Sequence, residues 1–207
     1  MPAAPAPADS PRERILRAAS ALFYAQGIHS VGVDLIIARS GVAKASFYKH
    51  FPSKSDLVAA ILTQRGEDWR RWLAQAVERL CERPQDRPLA VFDALAERFG
   101  RDDFRGCLFI NSMVELADRS HAGHFIADDH KRRVTEYLRG LLAEAGVDRA
   151  PLLAEQWMLL VDGAIVTALR TGSAAPAASA QAIAAMLLQQ AQPVVRRRRK
   201  PAQPGGA

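Results

Sequence analysis

Lys44, Ala45, Ser46, Tyr48, Lys49 and His50 fall in one short run and bring together two ammonium groups, a hydroxyl, a phenol and an imidazole. Ammonium groups reach guanine O6 and N7 or a phosphate. A methyl side chain such as Ala45 touches the thymine methyl, and the hydroxyl, phenol and imidazole bond phosphate oxygens. These groups must be presented by a rigid element. Val42, Phe47 and Phe51 have the spacing of a buried face opposite them, and Pro52 stops the element because the residue before a proline resists the helical conformation. The pattern predicts a short helix suited to the DNA major groove.

The elements that hold this helix lie upstream. Val33, Ile36 and Ile37 fall three and four residues apart and so share one face of a preceding helix. Ala38 is expected to let a neighbouring helix cross closely, and Gly41 supplies the sharp turn between the two helices. Further back, Ser10-Pro11-Arg12-Glu13 combines an N-cap serine, a proline at the first helical position and a glutamate at the third. Ile15, Ala18, Ala19, Leu22 and Phe23 then make one apolar stripe, which Gly27 ends.

The run Gly-Val-Ala-Lys-Ala-Ser-Phe-Tyr-Lys-His-Phe-Pro-Ser-Lys, residues 41–54, resembles the signature of the TetR family of bacterial transcriptional regulators. The resemblance implies DNA contacts from Lys44, Ala45, Ser46, Tyr48, Lys49 and His50, with Lys54 at the next helix start, where free amides and the helix dipole favour a phosphate. Two positions depart from the family pattern. Gly32 stands where a Thr or Ser usually grips a phosphate, and Ala43 replaces the serine that would cap the recognition helix. Glycine is nearly as good a cap as threonine, whereas alanine costs on the order of 1 kcal/mol.

The charge is distributed to match. The net +6 of the 207 residues separates into +4 over residues 1–54, +5 over residues 196–200 and −3 over the rest. A basic head on a mildly acidic body is the footprint of a protein that touches phosphates with one end. Cys81 and Cys107 are too few for a disulfide framework, and the Ala/Pro-rich start has no charged-then-apolar signal. Asp162 and Arg170 interrupt the most apolar run, so no membrane span is expected and the protein is predicted to be cytoplasmic.

Beyond the head the pattern stays helical, with no strand alternation and no repeat. Ser53-Lys54-Ser55-Asp56 opens a helix of more than twenty residues through Leu57, Ile61, Leu62, Trp69, Trp72, Leu73, Ala76, Val77 and Leu80. Amphipathic segments follow near 89–99, 107–117, 123–145, 151–171 and 177–190. The segment 151–171 is apolar nearly all round and carries Gly163 and Thr167 four apart. With Ile183, Met186 and Leu187 it is the expected homodimer interface, spanning roughly residues 151–190, as the resemblance also implies.

Clues to an effector are sparser. Phe104, Cys107, Asn111, Phe125 and Trp157 are candidate lining residues for a pocket taking a small-molecule effector, with Met113 and Met158 as further apolar candidates. Cys107 is also a candidate redox or electrophile sensor, although a cysteine in Leu-Phe-Ile surroundings is usually inert core. His121 and His124, between Asp118 and Asp128, have spacing compatible with a metal, but Gly123 and its neighbours point to a loop.

The expectation is an all-α protein with a disordered leader (1–9), a three-helix helix-turn-helix head (10–52), an effector-binding and dimerising body (53–192) and a basic tail (193–207). It would bind double-stranded operator DNA as a homodimeric, ligand-responsive repressor, without a cofactor or resident metal. A nonspecific DNA binder or activator is the nearest rival. A helical enzyme or metal protein is the more distant one, since no Glu-x-x-His pair, nucleophile-base arrangement or phosphate-binding glycine loop is present.

Overall fold

The computed structural model describes residues 9–191. The 196–200 basic run and nearly all of the expected leader lie outside them, although Asp9 is placed and pairs with Arg17. The described residues form nine α-helices and one short 3-10 turn, with no strand.

Helix α1 (Pro11–Gln26) begins in the expected capping box. The Ser10 hydroxyl accepts from the Glu13 amide at 3.3 Å, and the Glu13 carboxylate accepts from the Ser10 amide at 2.7 Å. Helix α2 (Val33–Ser40) ends at Gly41, whose φ of 63° is the left-handed conformation that a turn here needs and glycine adopts without strain. Ala38 does not mediate a close crossing: it is exposed. The buried small residue is Ser40, which shares a helical face with Ile36 and donates to the Ile37 carbonyl at 3.1 Å. Helix α3 (Lys44–His50) follows, with Phe47 fully buried.

Helix α4 (Lys54–Leu80) runs uninterrupted from head to body. Its first half buries Leu57, Val58, Ile61 and Leu62 against α1–α3. Its second half buries Leu73, Ala76 and Val77 in a separate core with α5 (Arg87–Phe99), α7 (Ala122–Glu144), α8 (Ala150–Thr171) and α9 (Ala175–Ala191). The head core is completed from the body, because Leu108 and Phe109 of α6 (Leu108–Leu116) and Ala127 of α7 belong to it. The line between residues 52 and 53 therefore divides elements but not cores.

Helix α8, apolar nearly all round, buries only one of its faces within the single chain. One face, including Ala154, Trp157, Val161 and Ala168, is buried, while Leu152, Leu159, Val166 and Leu169 are exposed. By length and composition alone α8 is apolar enough to cross a membrane, contrary to the expectation that Asp162 and Arg170 rule this out. Within α8 Asp162 pairs with Lys131 of α7. A core helix with one buried face passes the same apolar test.

Candidate functional site

Helix α3 separates its residues by face. Val42, Phe47 and Phe51 are buried. Lys44, Ala45, Tyr48 and Lys49 are exposed, and Ser46 and His50 half-buried. Tyr48 stands edge-on to Phe47 with ring centroids 5.2 Å apart, so a buried ring braces an outward phenol. The Lys44 ammonium lies 3.6 Å from Asp34 in an exposed pair, weak enough for a phosphate to compete with it. Gly32 caps α2 and Ala43 caps α3, neither with a side-chain bond.

Lys54 is the first residue of α4, as the resemblance implies. Its ammonium is 6.0 Å over the Phe23 ring and half-buried; burial lowers its pKa and the Glu115 carboxylate opposes that shift. The α4 N-terminus already has a side-chain cap, since the Ser53 hydroxyl accepts from the Asp56 amide at 3.1 Å. Lys54 therefore belongs to the seam between head and body.

That seam is polar and specific. The His29 amide donates to Glu115 Oε2 at 2.8 Å, and Arg65 Nε donates to Ser20 Oγ at 2.8 Å. Ser55 Oγ meets His121 Nε2 at 2.9 Å, while His121 Nδ1 accepts from the Gly123 amide. With both ring nitrogens so engaged, His121 caps α7, and no cluster suited to a metal occurs among the described residues.

Behind the seam is a cavity of about 260 Å³, walled by α4, α5, α7, α8, the α5–α6 loop, the start of α6 and Tyr24 of α1. Phe104 and Cys107 line it. Trp157, Asn111 and Phe125 do not. Trp157 is fully buried in the body core, where its indole donates to the Pro88 carbonyl at 3.1 Å. Asn111 lies off the wall on α6, half-buried. Phe125 is 61% exposed on α7, because its neighbours Gly123 and Ala127 face inward instead. Met158 lines the wall, whereas Met113 packs on the head core.

Residue-level reading missed most of the wall. Arg65, Trp69 and Trp72 form one stripe of α4, and their spacing of four and three was the available signal. His130 is buried, stacked on Phe109 at 3.7 Å and edge-on to Trp69. Burial, then the charges of Lys131 and Arg70, push its pKa down to about 3, so the ring is neutral. Arg98 spans between Asp103 at 2.8 Å and the Tyr24 hydroxyl at 3.1 Å.

Comparison with known proteins agrees with this architecture. Residues 15–61 match the family described as bacterial regulatory proteins, tetR family. The chain is 27% identical over 180 residues to the HTH-type transcriptional regulator YjdC of Escherichia coli (strain K12), covering 86% of this chain and 93% of YjdC. A crystal structure of a TetR-family transcriptional regulator from Streptomyces coelicolor superposes with a TM-score of 0.79 at 28% identity, covering 87% of this chain and 95% of that one. A TetR-type regulator from Streptomyces avermitilis superposes at 0.76 with 32% identity, covering 88% and 98%. The relatives are regulators, not enzymes. The helical head, its outward-facing α3 and this likeness along nearly the whole chain make the protein a member of the TetR family and a DNA-binding transcriptional regulator.

Proposed function

We propose that this regulator is a homodimeric, ligand-responsive repressor that reads a near-palindromic operator through α3 and releases it when a small molecule occupies the cavity. The observation that carries the reading is the position of Tyr24, which belongs to α1 of the head and also lines the cavity. Helix α4 offers a second route, since it carries both head-core residues and cavity residues. A ligand preferring the DNA-incompetent arrangement would weaken operator binding, typically by about 1–3 kcal/mol.

Lys44, Ala45, Ser46, Tyr48, Lys49 and His50 are the proposed DNA-contacting residues, with Gly32 at the α2 start and Lys54 at the α4 start. For dimerisation, Leu159, Val166, Ile183 and Met186 leave an apolar face open on α8 and α9. Gly163 and Thr167 lie in the groove between these helices, and a side chain at Gly163 would meet nothing. Packing that face on a second copy makes a four-helix interface and sets two α3 helices against half-sites one or more helical turns apart, roughly 34 Å per turn.

Selection of bound sequences from random duplex DNA, at about 150 mM salt to damp nonspecific phosphate attraction, tests the reading. Recovery of one two-fold symmetric motif supports it, and unenriched DNA bound only at low salt overturns it. Cys107 in the cavity wall favours a second, electrophile-responsive version. Undiminished DNA release by oxidant in Cys107→Ser sinks that version alone.

A further inference from the structure

The cavity wall has an uneven hydrogen-bonding inventory. Its carboxylates are engaged: Asp68 accepts from Arg71 at 3.1 Å, and Asp103 accepts from Arg98 at 2.8 Å and from Arg101 at 3.1 Å. Several of its donors are not. Arg65 bonds only the Ser20 hydroxyl through Nε, has no carboxylate partner among the described residues, and holds its guanidinium 5.4 Å over the Tyr24 ring.

His130 adds a second spare donor. Arginine cannot accept, so the 3.2 Å contact between Arg70 Nη1 and His130 Nδ1 places the imidazole proton on Nε2, which has no acceptor among the described residues. The half-buried indoles of Trp69 and Trp72 likewise donate to no described group. A ligand that satisfies this wall must bring acceptors, and beside an unpaired guanidinium the best acceptor is an anion. The rest of the wall, with Trp69, Trp72, Phe99, Phe104 and Phe109, is flat and apolar. At about 260 Å³ the cavity is smaller than the roughly 300–1,000 Å³ of drug-sized sites.

We infer that the cavity takes a small organic carboxylate with a flat apolar body, its carboxylate held by Arg65 and its ring laid against Trp69 and Trp72. The inference rests on the reading of this cavity as the effector site and names the chemical class that fills it.

Three probes with one body and different head groups test the inference: 3-phenylpropanoate, 3-phenylpropanamide and 3-phenylpropylamine, each titrated into the full-length protein while tryptophan fluorescence is followed. Trp69 and Trp72 report from the wall, and buried Trp157 gives a constant background. The carboxylate is expected to saturate the signal at least tenfold more tightly than the amine, and more tightly than the amide. Arg65→Met is expected to merge the three curves with helicity by circular dichroism unchanged, while Arg65→Lys keeps the preference for the anion. Equal or tighter binding of the amide or amine overturns the inference. So does the absence of saturation by the carboxylate below about 10 mM, or discrimination that survives in Arg65→Met. The readout involves no DNA, so a failed titration leaves operator selection standing and a failed selection leaves the titration interpretable.

Discussion

The Tyr24 hydroxyl donates to the Gly106 carbonyl at 3.2 Å and accepts from the Arg105 amide at 2.8 Å, fastening the first helix of the head to the loop between α5 and α6. Arg98 adds a third bond at 3.1 Å, so the phenol is fully satisfied. The same loop forms cavity wall through Gly106 and Cys107 and touches Leu169 of α8, near the proposed dimer face. One short loop thus meets the head, the cavity and α8.

Tyr24→Phe removes all three bonds and keeps the ring. Stability should fall by about 1 kcal/mol, since Arg105 is exposed and water replaces its lost partner. Operator affinity without ligand should change little, while ligand-induced release weakens. Urea unfolding and DNA titration with and without the ligand separate these effects; undiminished release would show that coupling bypasses Tyr24.

Gly106 has a φ of 78°, and a Cβ there would lie 2.8 Å from Leu169 Cδ2. Gly106→Ala must both strain the backbone and displace Leu169, with an expected cost of roughly 1–3 kcal/mol. Thermal unfolding checks this, and a neutral effect would mean that the loop relaxes freely.

His130 is neutral in the fold, with a pKa pushed down to about 3 from an ordinary 6.5. The unfolded chain binds a proton there that the native protein refuses, so stability falls as pH drops below 6.5, with a slope approaching about 1.4 kcal/mol per pH unit. The loss ends only near the folded value. Carboxylates held low by their partners, such as Asp103 and Asp129, add acid sensitivity at lower pH. Denaturation between pH 7 and pH 5 should show the slope in the native protein and a flatter line in His130→Gln.

Ala43 has the extended conformation of an N-cap, φ −71° and ψ 147°, without a capping side chain. Ala43→Ser should bond the first turn of α3 and stabilise the protein by about 1 kcal/mol, raising Tm by roughly 2–4 °C. Calorimetry tests this, and no rise would mean that water already satisfies those amides.

Leu159 is 74% exposed on α8. Leu159→Glu puts a charge into the proposed interface and should yield a folded monomer by light scattering, with operator affinity lost and ligand binding kept. A dimer that survives the substitution would move the interface elsewhere.

The head is legible in the sequence because buried and exposed residues alternate along one short helix and its C-cap: Phe47 and Phe51 turn inward while Tyr48 and Lys49 turn outward. Its capping signals are local as well, and Ser10 with Glu13 can be read without any tertiary information. The cavity is not legible in this way, since its wall joins Tyr24, the Arg65–Trp69–Trp72 stripe, the end of α5 with the loop after it, and Ile165, drawn from distant parts of the chain. Phe104, Phe125 and Trp157 look alike in the sequence as aromatic residues of the helical body. Packing alone sends the first to the wall, the second to solvent and the third into the core. Lys54 shows what a motif leaves unsaid: its place at the α4 start is legible from the chain, whereas the seat of its ammonium over Phe23 depends on packing.

The most direct test of the central claim, that α3 reads DNA sequence, is the ratio of affinities for the selected operator and a scrambled duplex at about 150 mM salt, measured for the native protein and for Tyr48→Ala and Lys49→Ala. The ratio should fall about tenfold or more in at least one variant, because a base contact carries roughly 1–3 kcal/mol of discrimination. An unchanged ratio in both, with weaker binding to either duplex, would reduce these residues to phosphate contacts and contradict recognition through this face.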